Sequence, residues 1–177
     1  MIYDRETLVA KLREAGVKYL APSDAVATEE VSSMDAFLVA VINQTDGRLK
    51  LALIPLFIRH PELAQNVSYL VEQLPPDAVL DLQTYYMAAV YLQRHWKSLL
   101  RLYLGNTTLL PDLFSQTLGL SPADEYFGKT GLYELADAWK ARSSYPFNRL
   151  ASLNQTMDLF FEQLKIEQRL SQYAPAS

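Results

Sequence analysis

Apolar residues recur along most of this chain at the three- and four-residue spacing of an amphipathic helix. In the first such segment, Asp4 precedes an apolar face of Leu8, Val9 and Leu12, and Gly16 follows that face. An Asp at the start and a Gly at the end are typical of helix termini. The same spacing returns over residues 61–74 and 131–142, and again in a last segment that starts at Asn148 or Ser152 and runs to about Gln172. The pattern predicts a helix in each of these segments.

The longest uninterrupted segment covers residues 77–104. It contains no glycine or proline, and it ends at Gly105 and Asn106, which favour a helix stop. Its middle, YYMAAVYL at residues 85–92, is apolar on every side. A helix that is apolar all round is normally buried all round. We therefore expect residues 77–104 to form the central helix of the protein.

Residues 37–54 match two different templates. The apolar run at 37–42, the Asp46–Gly47 pair and the alternating leucines after it satisfy the pattern of a β-hairpin. The same leucines also fit one face of a helix, and the chain offers no other strand to complete a sheet, without which a hairpin is marginal in water. We favour two helices, the second of which is kinked or shortened by Pro55 because proline removes a backbone hydrogen bond.

Together these segments predict an all-α protein. We expect a single domain over residues 1–177, built as a bundle of six to eight helices around residues 77–104. A chain of this length fits one domain of about 100–200 residues. It can bury about 70% of its unfolded surface without a disulfide or a structural metal. Residues 106–131 are predicted to be irregular, with short helices after Pro111 and Pro122.

Composition and charge narrow the function classes. A net charge of −4 argues against a general nucleic-acid binder, which needs Lys and Arg to contact phosphates. The chain has no cysteine, which excludes disulfides, thiolate metal sites and cysteine nucleophiles. The N-terminus lacks the apolar core of a signal peptide, and the longest apolar stretch, residues 51–58, is much shorter than the roughly 20 residues of a membrane span. We expect a cytoplasmic protein with no cofactor or metal and no membrane or nucleic-acid partner.

Residues 123–130, ADEYFGKT, match the loosest form of a phosphate-binding loop. Such a loop wraps backbone amides around phosphates and connects a strand to the N-terminus of a helix. In this segment Asp124 and Glu125 would repel phosphate, and no predicted strand precedes the motif. We therefore interpret residues 123–130 as a turn between two short helices and reject nucleotide hydrolysis.

The common catalytic constellations are also missing. Neither of the two histidines, His60 and His95, has the spacing of a metal-binding pair on a helix, and no G-x-S-x-G motif is present. His95 follows Tyr91 by one helical turn, so these two residues are the remaining candidates for an acid–base pair. We expect no catalytic activity, with a Tyr91–His95 enzyme as the alternative.

Three basic residues of the long segment, Arg94, Lys97 and Arg101, share one helix face. No acidic residue occurs over 82–111, so this part of an acidic chain carries a local positive charge. One interpretation is a contact for an anion, an RNA or an acidic partner; the other is a solvated face that neighbouring acidic helices neutralise. The candidate contact comprises Tyr91, Arg94, His95, Lys97 and Arg101.

The last predicted helix carries an apolar seam at spacings of three and four residues. Such a seam is right for packing inside a bundle, and at the end of a chain it also suits pairing with a second copy. Two adjacent phenylalanines widen it. We expect self-association as a homodimer, with intramolecular packing as the alternative. The seam residues are Leu153, Met157, Phe160, Phe161 and Leu164.

The function predicted from the sequence is an interaction module. Helical seams and aromatic residues are plentiful, whereas catalytic motifs are absent. We expect a non-catalytic subunit of a cytoplasmic, prokaryotic complex that binds a protein partner. The alternatives are a helical anion- or RNA-binding protein that uses the basic face, and the Tyr91–His95 enzyme.

Overall fold

A computed structural model describes residues 2–22, 29–145 and 147–173. The structure is all-helical, as predicted: 68% of the chain is helical, about twice the share in an average domain, and no strand occurs among the described residues. The α-helices are α1 (Arg5–Glu14), α2 (Met34–Ile42), α3 (Gly47–Leu51), α4 (Leu53–Arg59), α5 (Ala64–Leu70), α6 (Pro76–His95), α7 (Lys97–Leu104), α8 (Lys129–Arg142) and α9 (Arg149–Tyr173). A short 3₁₀ helix at Pro61–Leu63 precedes α5, and a tight turn at Glu125–Gly128 precedes α8.

The helix termini follow from local side chains. The Asp4 carboxylate accepts a hydrogen bond from the Thr7 amide at 2.8 Å and begins α1. Asn148 accepts one from the Ala151 amide at 3.0 Å at the start of α9. These contacts satisfy amides that have no partner within the helix. Pro76 occupies the first position of α6, where a missing N–H costs nothing.

Residues 37–54 form helices, which confirms the favoured interpretation over the hairpin. The Asp46 carboxylate caps α3 through the Arg48 amide at 2.9 Å, so the Asp46–Gly47 pair starts a helix instead of turning a hairpin. Ala52 separates α3 from α4. Pro55 lies in the first turn of α4. Its ring would clash with the carbonyl group four residues earlier in a continuous helix, so α3 and α4 cannot join into one. The proline therefore shortens the helix, as expected.

The central element is α6, and its length differs from the prediction. Residues 82–93 are all buried, and α6 contacts α2, α4, α5, α7 and α8. The helix ends at His95, because Trp96 leaves the helical conformation at φ −103° and ψ 19°. The segment 77–104 is therefore two helices in sequence. Only Leu100 is buried in α7, so the two parts have different surroundings.

Two other segments also differ from the sequence prediction. The helix expected over 61–74 ends at Leu70 and continues as a turn. The helix expected after Pro111 is a turn over 114–119, which the Asp112 carboxylate fixes by accepting a hydrogen bond from the Ser115 amide at 3.0 Å. A short side chain that bonds to nearby amides stabilises a turn in competition with a helix.

The structure corrects the assignment of the seam on α9. Its residues lie inside the chain, because this face of α9 packs against α4, α7 and α8. They are core residues, as in the intramolecular alternative, and do not form an exposed self-association surface. The buried seam consists of Leu153, Met157, Phe160, Phe161 and Leu164.

Buried side chains from the first helix to the last belong to one hydrophobic cluster. Within the described ranges, no helix combines the length and the apolar character that crossing a bilayer requires.

Gly131 allows α8 to approach α6 closely. A Cβ atom added to Gly131 would overlap the buried ring of Tyr91. We predict that Gly131→Ala lowers the free energy of unfolding by about 3 kcal/mol, since overpacking a filled core forces its neighbours apart. Urea denaturation measures this change. Gly47→Ala is the matched control: no atom lies within 4 Å of its added Cβ, and this variant should gain about 0.5 kcal/mol. Equal effects at both positions would contradict the close approach.

Candidate functional site

The basic face predicted on the long segment is divided by the fold. Arg94 is nearly buried, and its guanidinium donates to Asp124 Oδ1 at 2.8 Å and to the Leu110 carbonyl oxygen at 2.9 Å. A third hydrogen bond, at 3.3 Å, goes to the Val90 carbonyl oxygen within α6. Arg94 therefore fastens the segment after α7 to α6. Its Nε and Nη1 atoms donate within the chain, so Arg94 has a structural role, and a ligand contact at this residue stays a prediction.

Lys97 and Arg101 remain exposed on α7. Both line a small hollow of about 40 Å³ together with Gly105 and Asn106. A hollow of this volume holds about one water molecule. None of the described residues that line it is aromatic, whereas single-stranded nucleic acids bind through stacking on aromatic side chains. The hollow therefore lacks the features of the open aromatic groove expected for RNA.

Tyr91 and His95 do not form the alternative acid–base site. The Tyr91 ring is buried, its hydroxyl donates to the Ser121 carbonyl oxygen at 2.8 Å, and burial raises its pKa far above the ordinary value. His95 is exposed at the end of α6, with its ring edge against Trp96 at a centroid distance of 5.1 Å. One residue faces the interior and the other faces solvent. No group of three His, Asp or Glu side chains among the described residues could hold a metal ion.

Polar side chains of α6 instead hold the long segment between α7 and α8. Gln93 donates to the Thr108 carbonyl oxygen at 3.0 Å and accepts from the Leu110 amide at 2.7 Å. The Tyr86 hydroxyl donates to the Pro111 carbonyl oxygen at 2.8 Å. These contacts satisfy polar groups that would be costly to bury alone. Residues 105–128 are thus fixed to α6 by side chains that the helix buries.

Two carboxylates complete the attachment of this segment. Glu134 of α8 accepts from the Ser121 amide at 2.6 Å and from the Ser121 hydroxyl at 2.7 Å. Asp112 accepts from the Ser115 hydroxyl at 2.7 Å and from the Ala123 amide at 3.0 Å. Partial burial alone would raise the pKa of Asp112, but the hydrogen bonds from Ser115 and Ala123 and the charge of Arg94 outweigh burial and lower it.

The fixed segment ends in an exposed pair of aromatic residues, Tyr126 and Phe127. Both have a left-handed backbone, with φ of 47° and 55°, and Gly128 follows at φ 80°. For residues with a side chain this conformation costs about 1–2 kcal/mol each. The side chains are 76% and 78% exposed, so they recover little of this cost by packing. We define Tyr126 and Phe127 as the aromatic tip.

Gly128 explains how the chain reaches this conformation. A Cβ atom on Gly128 would lie 2.5 Å from the Tyr91 carbonyl oxygen, so only glycine permits the segment to contact α6 at this point. Lys129 then begins α8. The Gly128-Lys129-Thr130 motif therefore serves a turn and a helix start, in line with the interpretation of 123–130 as a turn.

Sequence reasoning did not identify the aromatic tip. The motif at residues 123–130 is defined by its glycine, lysine and threonine, whereas its large exposed apolar residues are the two aromatics before them. A usable signal was present: Tyr126 and Phe127 lie among polar residues, without the periodicity that would place them in a core.

Comparisons with protein families, curated proteins and solved structures found no match for this chain.

The backbone strain at the aromatic tip predicts that replacing Tyr126 by glycine stabilises the protein. Tyr126→Gly should raise the free energy of unfolding by up to about 1 kcal/mol, because removing a strained left-handed residue outweighs the added entropy of the unfolded chain. The matched control is Tyr133→Gly, which removes an exposed tyrosine from the regular helix α8 and should lower stability by about 1 kcal/mol. Urea denaturation measures both. A loss of stability for Tyr126→Gly would show that the tyrosine ring is a packing contact.

The lowered pKa of Asp112 predicts that its contribution to the free energy of unfolding depends on pH. Its pKa is lower in the folded chain, so its contribution to stability is present above the ordinary aspartate value of about 3.9 and is lost as the pH falls through the folded value. We expect Asp112→Ala to be less stable than wild type at pH 6, and the difference to shrink below pH ~4. Unfolding free energies of both proteins across this range test the prediction. A difference that is constant with pH would rule out the carboxylate as its source.

Proposed function

We propose that this protein is a non-catalytic interaction module that presents the aromatic tip to a protein partner. The observation that carries the proposal is the exposure of Tyr126 and Phe127 on a strained backbone that is attached to the core from several sides. Strain in a folded chain persists only where the surroundings impose it, and it concentrates at sites of function. A rigid aromatic pair loses little conformational freedom on binding, which favours affinity.

The residues beside the aromatic tip favour a protein as its binding partner over a lipid surface. Tyrosine and phenylalanine are enriched in the centres of protein interfaces. The acidic side chains of Asp124 and Glu125 lie beside the tip and are exposed. Carboxylates would be repelled by the anionic lipids of a membrane surface. A matching partner would offer an apolar pocket for the rings and a basic rim for Glu125.

Residues of α8 extend the same surface. Tyr133 is half-exposed, and the Lys129 ammonium lies 5.9 Å from the centre of its ring, a distance at which the cation and the ring attract. Specific interfaces usually bury about 800 Å² on each partner, which two rings alone cannot supply. The tip would therefore act as the central anchor, with Lys129 and Tyr133 at the edge.

What supports a non-catalytic function is the separation of the candidate acid–base groups. Tyr91 bonds to Ser121 in the interior, while His95 is exposed at the end of α6. General acid–base catalysis needs the two groups within reach of one substrate.

The experiment is site-specific photo-crosslinking in the cells that make the protein. A benzophenone amino acid replaces Phe127 in one sample and Tyr69, an exposed aromatic residue of α5, in the control. We expect a discrete adduct with another protein from position 127 and not from position 69. Added wild-type protein should suppress this adduct, and the Phe127→Gly variant should compete at least tenfold less well. Equal adducts from both positions, or none from position 127, would contradict the proposal.

A further inference from the structure

The far end of α9 extends away from the helix bundle. Beyond Leu164, its residues are exposed up to Tyr173, apart from Glu167, which is partly buried. Glu167 is held by Arg59 through a hydrogen bond from Nη2 to Oε2 at 3.1 Å, and among the described residues no hydrogen bond or ion pair further along α9 reaches the body of the protein. Two further turns of helix continue past it.

The exposed side of this helix carries an apolar stripe. Its members, separated by seven, four and three residues, lie within about 60° of one another around a helix of 3.6 residues per turn. We define the stripe as Leu159, Ile166, Leu170 and Tyr173, all of which are exposed. It faces away from the buried seam on the same helix. Four large apolar side chains in one row are typical of a helix that pairs with another helix.

At Leu159 the stripe enters a surface groove of about 810 Å³ between α9 and the segments near α1 and α3. Leu51, Phe147 and Gln155 line it beside Leu159. The groove and the stripe therefore form one continuous surface, with a depression at one end and the protruding Tyr173 at the other.

We propose that this surface binds a second copy of the chain, with the two α9 helices antiparallel about a two-fold axis near Ile166. In that arrangement each position pairs with the position equally far on the other side of Ile166. Tyr173 of each copy then lies opposite Leu159 of the other and reaches its groove. A two-fold contact uses the same surface on both copies, which suits a surface that contains both the projection and the depression.

Charge along the edge of the stripe favours the antiparallel direction. Asp158 and Glu162 precede the midpoint, whereas Lys165 and Arg169 follow it, and all four are exposed. Antiparallel helices place Glu162 of one copy beside Arg169 of the other, twice in the dimer. Parallel helices would place these charged edges on opposite sides of the pair, so that their charges would not meet. Within one chain, Glu162 pairs only with Lys165 on its own helix among the described residues, at 3.1 Å.

The size of the surface sets the expected affinity. The stripe from Leu159 to Tyr173 is about 21 Å long at 1.5 Å per residue. One helix pair of this length, with a ring in each groove, falls below the roughly 800 Å² per partner of stable complexes. We therefore expect a dimer that forms at tens of micromolar, not a permanent one.

The first test is the molar mass of the full chain as a function of concentration, by light scattering. The mass should rise from 20.1 kDa toward twice that value between about 1 and 300 µM. Leu170→Glu should remain a monomer throughout. The matched control is Leu102→Glu on α7, because Leu102 and Leu170 are 65% and 66% exposed. A monomeric wild type at 300 µM, or equal loss of dimer in both variants, would overturn the proposal.

The second test addresses the direction and the position of the axis. Because the chain has no cysteine, Ile166→Cys introduces a single thiol at the proposed axis. Two copies should then form a disulfide readily under mild oxidation, since paired Cα atoms must lie within about 7 Å. Leu102→Cys should not. Glu162→Arg should weaken the dimer at least tenfold, and adding Arg169→Glu should restore it. Dimers that resist crosslinking at position 166 or ignore the charge exchange would place the interface elsewhere and overturn the proposal.

Discussion

The ring of Tyr91 is the point on which the architecture around α6 depends. A buried phenol must find a hydrogen-bond partner, and Tyr91 finds the carbonyl oxygen of Ser121, thirty residues later in the chain. The same residue requires glycine at two positions, Gly128 beside its backbone and Gly131 beside its ring. One side chain thus determines where the irregular segment attaches and how closely α8 approaches α6. The aromatic tip lies between the attachment at Ser121 and the close contact at Gly128, and these two fixed points keep its backbone from relaxing.

The helices could be predicted from the sequence because their causes are local. Asp4 and Pro76 mark helix starts through their own chemistry, and Pro55 shortens a helix through its own ring. The end of α6 at His95 had no such marker, since Trp96 is neither glycine nor proline. The attachment of residues 105–128 was likewise out of reach. Gln93 and Arg94 read as polar residues on a helix surface, and only the tertiary fold brings backbone carbonyl groups to them.

The last helix shows why an apolar pattern does not determine its partner. Phe160 and Ile166 belong to the same helix and to similar spacings, yet one faces the core and the other faces solvent. The sequence alone makes the first the more attractive interface residue, because two phenylalanines are adjacent there. The bundle covers that face with α4, α7 and α8 and leaves the opposite face open. Which stripe is exposed depends on where the body of the protein ends, and this is a property of the whole fold.

The contacts of Gln163 have a consequence for the order of folding. Its side chain accepts from the Lys18 amide at 2.7 Å and donates to the Gly16 carbonyl oxygen at 2.7 Å, across 145 and 147 residues of chain. The attachments of the segment after α7 to α6 span only 15 to 30 residues. Closing a long loop costs more chain entropy than closing a short one, and it delays folding. We expect α6, α8 and the segment between them to assemble early, and the two ends of the chain to be joined last by one glutamine.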